Sequence, residues 1–283
     1  MIVFRKFKIL CNVIHGYLFK WLVDLHVFKV PKLNGSIPLV VSLTSYGRRV
    51  KSEVVYYTIV SLLRQRVHPS RIILWLAVDE WNNASLPKRL KSLCEKGVEI
   101  RYCKDLRSYT KLIPTLKLIP DQPIMTVDDD VIYSSNTIGP MWEEHLRRPT
   151  QILCYYAVKP LFANGIPSRY EQWKEVAAMI EDKQIFPIGV GCVLYPVGSL
   201  HKDVIREDLF MSLCPYADDI WFWYCGLRNG TMKYTLQLRG KHVTFDALYQ
   251  YFHKGSALTH TNRMEHANDR QFRKLYEYYV TCN

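Results

Sequence analysis

The chain is 283 residues long, 48% hydrophobic and 23% charged, proportions that fit one large core with at most a modest appendage and exclude wholesale disorder. Its formal net charge of +12 suits nucleic acid, anionic lipid or phosphorylated small substrates, and the number alone does not choose among them. Eight cysteines show no C-x-x-C pair and no zinc-ligand spacing, so reduced thiols packed as small hydrophobes are expected rather than a zinc module.

The first 30 residues mix Arg5, Lys6, Lys8, Lys20 and Lys29 with Ile, Leu, Val, Phe and Trp21. Their longest uncharged run, residues 9–19, falls well short of the ~20 apolar residues that span a bilayer. No small-residue cleavage site follows it, which argues against a signal peptide. A basic amphipathic helix lying on an anionic membrane surface fits this composition. The alternative is a helix packed on its own domain or on a partner. Residues 31–38, with Asn34-Gly35-Ser36, read as a linker. The expected division is therefore a basic N-terminal segment over residues 1–35 and a main domain over residues 36–283.

In that domain, residues 39–43 read as a buried strand and residues 53–66 as a helix, with Val54, Tyr57, Ile59, Leu62 and Leu63 near helical spacing. Residues 71–78 make a second apolar strand, and a short helix over 87–96 ends at Gly97. A third strand over 98–102, a helix over 111–118 and a fourth strand over 123–127 follow. Such strand–helix alternation predicts an α/β fold, a mostly parallel sheet with right-handed crossovers. Beyond about residue 140 the pattern becomes less regular.

Asp128-Asp129-Asp130 follow the fourth strand directly. Three adjacent like charges are costly unless something positive joins them, and a strand's carboxyl end is where open α/β sheets place their ligand crevice. If the strand continues through them, Asp128 and Asp130 share one side and Asp129 points away. Two converging carboxylates suit Mg²⁺ or Mn²⁺, hard ions that share their shell with phosphate. A solvated acidic turn is the plainer alternative. Later, Gly189 and Gly191 lie in an apolar run, where glycine permits close backbone approach, either by a bound sugar or by tight strand packing. Asp218-Asp219 precede Ile220-Trp221-Phe222-Trp223-Tyr224 and are expected in the first turn of an apolar helix, where acidic residues complement the helix dipole.

Together with Val41-Ser42-Leu43-Thr44-Ser45-Tyr46-Gly47-Arg48-Arg49, Tyr109-Thr110-Lys111-Leu112-Ile113-Pro114 and Tyr216-Ala217-Asp218-Asp219-Ile220-Trp221, the acidic block Thr126-Val127-Asp128-Asp129-Asp130-Val131-Ile132-Tyr133 resembles the GT-A-type glycosyltransferases. The resemblance is to the small bacterial kind that assembles capsule or lipopolysaccharide glycans, and it covers roughly residues 39–272. It implies a GT-A (Rossmann-like) fold with an acceptor-side C-terminal half, and transfer from a nucleotide-sugar donor, UDP-linked by family habit. The implied acceptor is a glycan or lipid-linked oligosaccharide, and the implied metal is Mn²⁺ or Mg²⁺.

By the same resemblance, Asp130 chelates the metal, Asp128 lies near the ribose and metal-bound water, and Asp129 assists. Thr44, Ser45, Tyr46, Arg48 and Arg49 stand where the nucleobase and ribose are cradled, Asp79 where the base or ribose is often met, and Lys111 near the phosphates. Exposed turn, helix cap and solvated lysine are the plainer readings of these residues. Asp219, with Asp218, would be the general base of an inverting reaction. His260 or His266 would supply a late metal ligand. The basic N-terminal segment would keep such an enzyme cytoplasmic and peripheral at the inner face of the membrane, near that acceptor. Two other readings remain open: a sugar-1-phosphate nucleotidyltransferase, whose usual glycine-rich first loop is reduced here to Gly47, and a non-enzymatic basic module for membranes or anionic polymer. No nucleic-acid-binding motif is present.

Overall fold

A computed structural model describes residues 2–81, 86–163, 166–238, 243–244 and 267–281. The first four strands of its central sheet are β1 (Ile37–Thr44), β2 (Pro69–Ala77), β3 (Val98–Cys103) and β4 (Ile124–Thr126). Across the sheet the order runs Lys233–Thr235, Ile152–Cys154, Val193–Tyr195, β4, β1, β2, β3, and Val193–Tyr195 alone is antiparallel to its neighbours. This is the mostly parallel α/β architecture expected from the alternation of elements.

Two cores cover the sheet, one on each face, and the strands sort their side chains between them by parity. Leu39, Val41 and Leu43 of β1 enter one core with the helix Val54–Leu63, while Val40 enters the other with Trp221 and Phe222 of the helix Asp218–Arg228. Burial on both sides is why β1 and β2 read as continuous apolar runs rather than alternating ones.

β1 leads to β2 on one side, whereas the chain returns from β3 to place β4 on the other side of β1. The carboxyl ends of β1 and β4 therefore flank a topological switch point, where such sheets bind ligands. Two local features shape that crevice. Pro114 sits in the first turn of the helix Ile113–Leu118, so this helix starts later than expected and Lys111 closes a preceding 3₁₀ turn, Arg107–Lys111. Lys111 is consequently buried instead of riding on a helix face. Second, ladder pairing of β4 with β1 stops at Thr126, and Asp129-Asp130 form a turn before the short strand Val131–Ile132.

The N-terminal helix Ile2–Asp24 docks on the domain through Val23 and Phe19, whose ring lies 5.7 Å from Phe28. Asp24 accepts hydrogen bonds from Tyr57 Oη (2.7 Å) and Arg89 Nη2 (2.7 Å). No helix among the described residues is long and apolar enough to cross a membrane.

Candidate active site

β1 ends at Thr44, whose hydroxyl donates to the Trp75 carbonyl of β2 (3.1 Å). Buried Ser45 follows and donates to Asp129. The single-turn helix Gly47–Lys51 then folds Arg49 back over the acidic turn. Its Nη1 pairs with Asp129 and its Nη2 with Asp130 (2.7 Å). Thr58 Oγ1, from the helix below, donates to the Asp129 carbonyl (2.8 Å). Burial pushes the Asp129 carboxyl above the usual range, against the pull of Arg49 and Ser45. The same burial opposes charge on Arg49, but Asp129 and Asp130 overcome it and keep the guanidinium charged.

The expected side-sharing of Asp128 and Asp130 is therefore corrected. Because the strand has already ended, Asp129 and Asp130 turn together onto Arg49, and Asp128 faces a different cation. Lys111 Nζ lies 3.5 Å from Asp128 Oδ1 and 3.0 Å from Asp218 Oδ2. Burial works against its ammonium, yet Asp218, Asp128 and Asp219 outweigh that effect and hold its pKa well above the ordinary lysine value. This lysine thus joins the acidic turn after β4 to the N-terminus of the helix Asp218–Arg228.

Asp219 occupies the first turn of that helix, as the sequence predicts, and its Oδ2 accepts from the Gly189 N–H (3.1 Å). Burial and the neighbouring Asp218 push its carboxyl up to about 7, against Lys111 and the Gly189 bond. That value suits a group exchanging protons near neutrality.

Gly189 lacks a side chain for a local reason. A Cβ there would stand 2.9 Å from Asp219 Oδ1 and 3.0 Å from Lys111 Nζ. At Gly191 a Cβ would meet the Tyr156 ring at 2.0 Å. The space both glycines leave is filled by this chain's own side chains, not held open for a sugar.

Of the other expected residues, Tyr46 is exposed, with the Arg49 guanidinium 5.4 Å from its ring centre. Arg48 and Asp79 are exposed at the same end of the sheet. His260 and His266 lie outside the described residues. Tyr133 is buried beside the turn and takes a hydrogen bond from the Asp128 N–H (2.9 Å). Nothing in the sequence sets Tyr133 or Tyr156 apart from the remaining tyrosines.

The donor set fits a hard divalent cation in one particular way. Five acidic side chains, Asp128, Asp129, Asp130, Asp218 and Asp219, gather around Arg49 and Lys111, and all offer oxygen. Among the described residues no three His, Cys, Asp or Glu side chains already form a metal cage. Because Asp128 and Asp130 face different cations, an ion here would be held by one of them in place of its paired cation, with its remaining ligands from water and substrate phosphate, the usual situation for Mg²⁺.

The sequence matches no family model, and no curated protein matches it. Among solved structures it is similar to residues 1–349 of S. aureus TarS in complex with UDP, with a TM-score of 0.48 and 11% identity. That likeness covers 76% of this chain and 63% of the TarS chain, so the chain spans less than two thirds of that relative. It is also similar to a UDP-glucose pyrophosphorylase from Acinetobacter baumanii (TM-score 0.45, 11% identity, 87% of this chain and 100% of that one). A third likeness is to a 4-diphosphocytidyl-2C-methyl-D-erythritol synthase (TM-score 0.44, 8% identity, 71% and 90% covered). Likenesses this distant assign no activity, and the functional reading rests on the residues.

Proposed function

We propose that this chain is a metal-dependent glycosyltransferase that moves a sugar from a nucleotide-sugar, UDP-linked by preference, to a hydroxyl of a glycan or lipid-linked oligosaccharide. The observation that carries the reading is the convergence of Asp128, Lys111, Asp218 and Asp219 at the carboxyl ends of β1 and β4. An acidic turn, a buried cation and a carboxyl with pKa near 7 meet there within one connected network.

In this reading Asp219 accepts the proton of the acceptor hydroxyl. The acceptor oxygen bonds to the anomeric carbon as the bond from that carbon to the phosphate oxygen breaks, with inversion at the anomeric centre. Lys111 and Arg49 place positive charge beside the departing diphosphate, and Gly189 holds the base in orientation through its N–H. Ser45 and Thr58 fix the acidic turn. Tyr46 and Arg48 stand exposed at the mouth, where a nucleobase and ribose would lie. A bound Mn²⁺ or Mg²⁺ supplies Lewis-acid neutralisation of the same diphosphate. A sugar-1-phosphate nucleotidyltransferase is the second reading, disfavoured because the β1 turn offers only Gly47 toward a phosphate loop.

Calorimetric titration with UDP, GDP and CMP, each with Mn²⁺ and then with EDTA, tests the proposal. One nucleotide should bind, only with metal, and at least tenfold more weakly to Asp130→Asn. Binding of none of the three under either condition would overturn it.

A further inference from the structure

Among the described residues, the domain packs on one of the two apolar faces of the N-terminal helix. Gly16, Phe19 and Val23 lie on the inward face. On the opposite side, Ile14, Tyr17, Leu18, Trp21 and Leu25 recur at helical spacing, and each is 50–61% exposed. At 100° per residue these five positions fall within a single arc of about 100°. Isolated exposed apolar residues are ordinary, but a continuous stripe containing Trp and Tyr marks an interaction surface.

Charge decides between the candidate occupants. The segment Ile2–Asp24 carries Arg5, Lys6, Lys8 and Lys20 against one carboxylate, Asp24, which is already paired with Arg89 at 2.7 Å. Two copies of this segment would bring its net positive charge together, with no unpaired carboxylate in residues 2–24 to offset it. An anionic lipid surface complements that charge, and Trp and Tyr favour the headgroup region, where one end of the ring is apolar and the other wet.

We propose that the Ile14–Tyr17–Leu18–Trp21–Leu25 face lies in the interfacial region of an anionic membrane, with the helix parallel to the surface and the domain held against it. The helix is docked by its opposite face, through Val23, Phe19 and the Asp24–Arg89–Tyr57 contacts, so membrane binding leaves the domain intact. This inference does not depend on the reaction proposed above.

Co-sedimentation of the full chain with large unilamellar vesicles tests it. Vesicles of phosphatidylcholine with phosphatidylglycerol should bind at least tenfold better than phosphatidylcholine alone, with binding falling as salt rises. Leu18→Ser/Trp21→Ser should lose at least tenfold in affinity with an unchanged melting temperature. Leu146→Ser, which alters an exposed leucine elsewhere, should bind as the parent does. Equal binding of Leu18→Ser/Trp21→Ser and parent, or no vesicle binding by the parent, would overturn the proposal. So would a parent dimer that the double substitution makes monomeric without any vesicle binding, since that result names a second copy as the occupant.

Discussion

Replacing Lys111 by Met tests the network at its centre. The ammonium stands 3.0 Å from Asp218 and 3.5 Å from Asp128, and methionine keeps most of the side-chain volume while removing the charge. Deleting one partner of a buried ion pair typically costs about 3–5 kcal/mol, because the other charge is left without compensation. The lower end applies here, since the Asp128 side chain is 28% exposed and can rehydrate. For a chain of this size about 3 kcal/mol corresponds to a fall of roughly 6–12 °C in melting temperature. The deficit has a definite pH dependence. Asp219, held up at about 7 against the pull of Lys111, rises further once that charge is gone, so the variant should recover toward the parent as pH falls from about 8 to about 6 and this carboxyl is protonated. Thermal unfolding across that range, with Asp218→Asn added to the variant, measures both effects, and the double substitution should regain part of the loss. A melting temperature within about 1 °C of the parent at pH 8, or a deficit that grows on acidification, would refute the argument.

Four further predictions concern the same crevice. A base titrating at about 7 should make kcat/KM fall about tenfold per pH unit below that value, so a flat profile between pH 5 and 7 would remove Asp219 from the role. Because the folded-state pKa of Asp219 is raised above 3.8, the native state binds more protons between the two values, and this group's contribution to stability declines as pH rises through that window. Asp219→Asn should abolish that slope in denaturant titrations. Gly189→Ala forces a methyl against Asp219 and Lys111, costing about 1–3 kcal/mol, with turnover falling much further than nucleotide affinity. Equal losses of the two would assign that glycine a general packing role. Arg49→Lys keeps the charge but loses the planar fork that spans Asp129 and Asp130, so stability should drop by about 1–2 kcal/mol. Chemical denaturation that finds Arg49→Lys as stable as the parent would show the fork to be dispensable.

The sheet was legible because both faces of β1 and β2 are buried, which turns strands into apolar runs of recognisable length. The acidic turn was legible for a different reason, since three adjacent carboxylates demand a compensating charge and the fourth strand aims them at the crevice. Their individual directions were not legible. Alternation assumes a strand, and the ladder ends two residues before Asp128 for reasons of pairing with β1. For Lys111 the sequence left a phosphate partner and a solvated helix-face lysine both open, because the effect of Pro114, delaying the helix start and burying the neighbouring lysine, is not visible in a local pattern. The roles of Gly189 and Gly191 depend on Asp219, Lys111 and Tyr156, partners distant in sequence, and a local pattern cannot name the atom that fills a missing Cβ.

Product analysis gives the most direct test of the central claim. The chain would be incubated with UDP- and GDP-sugars, Mn²⁺ and a hydroxyl-bearing glycan acceptor, while nucleoside diphosphate and pyrophosphate are quantified separately. The account predicts acceptor-dependent release of the nucleoside diphosphate by the parent and at least a hundredfold less by Asp219→Asn. Turnover of nucleoside triphosphate and sugar-1-phosphate to pyrophosphate, with no diphosphate released from any nucleotide-sugar, would contradict it.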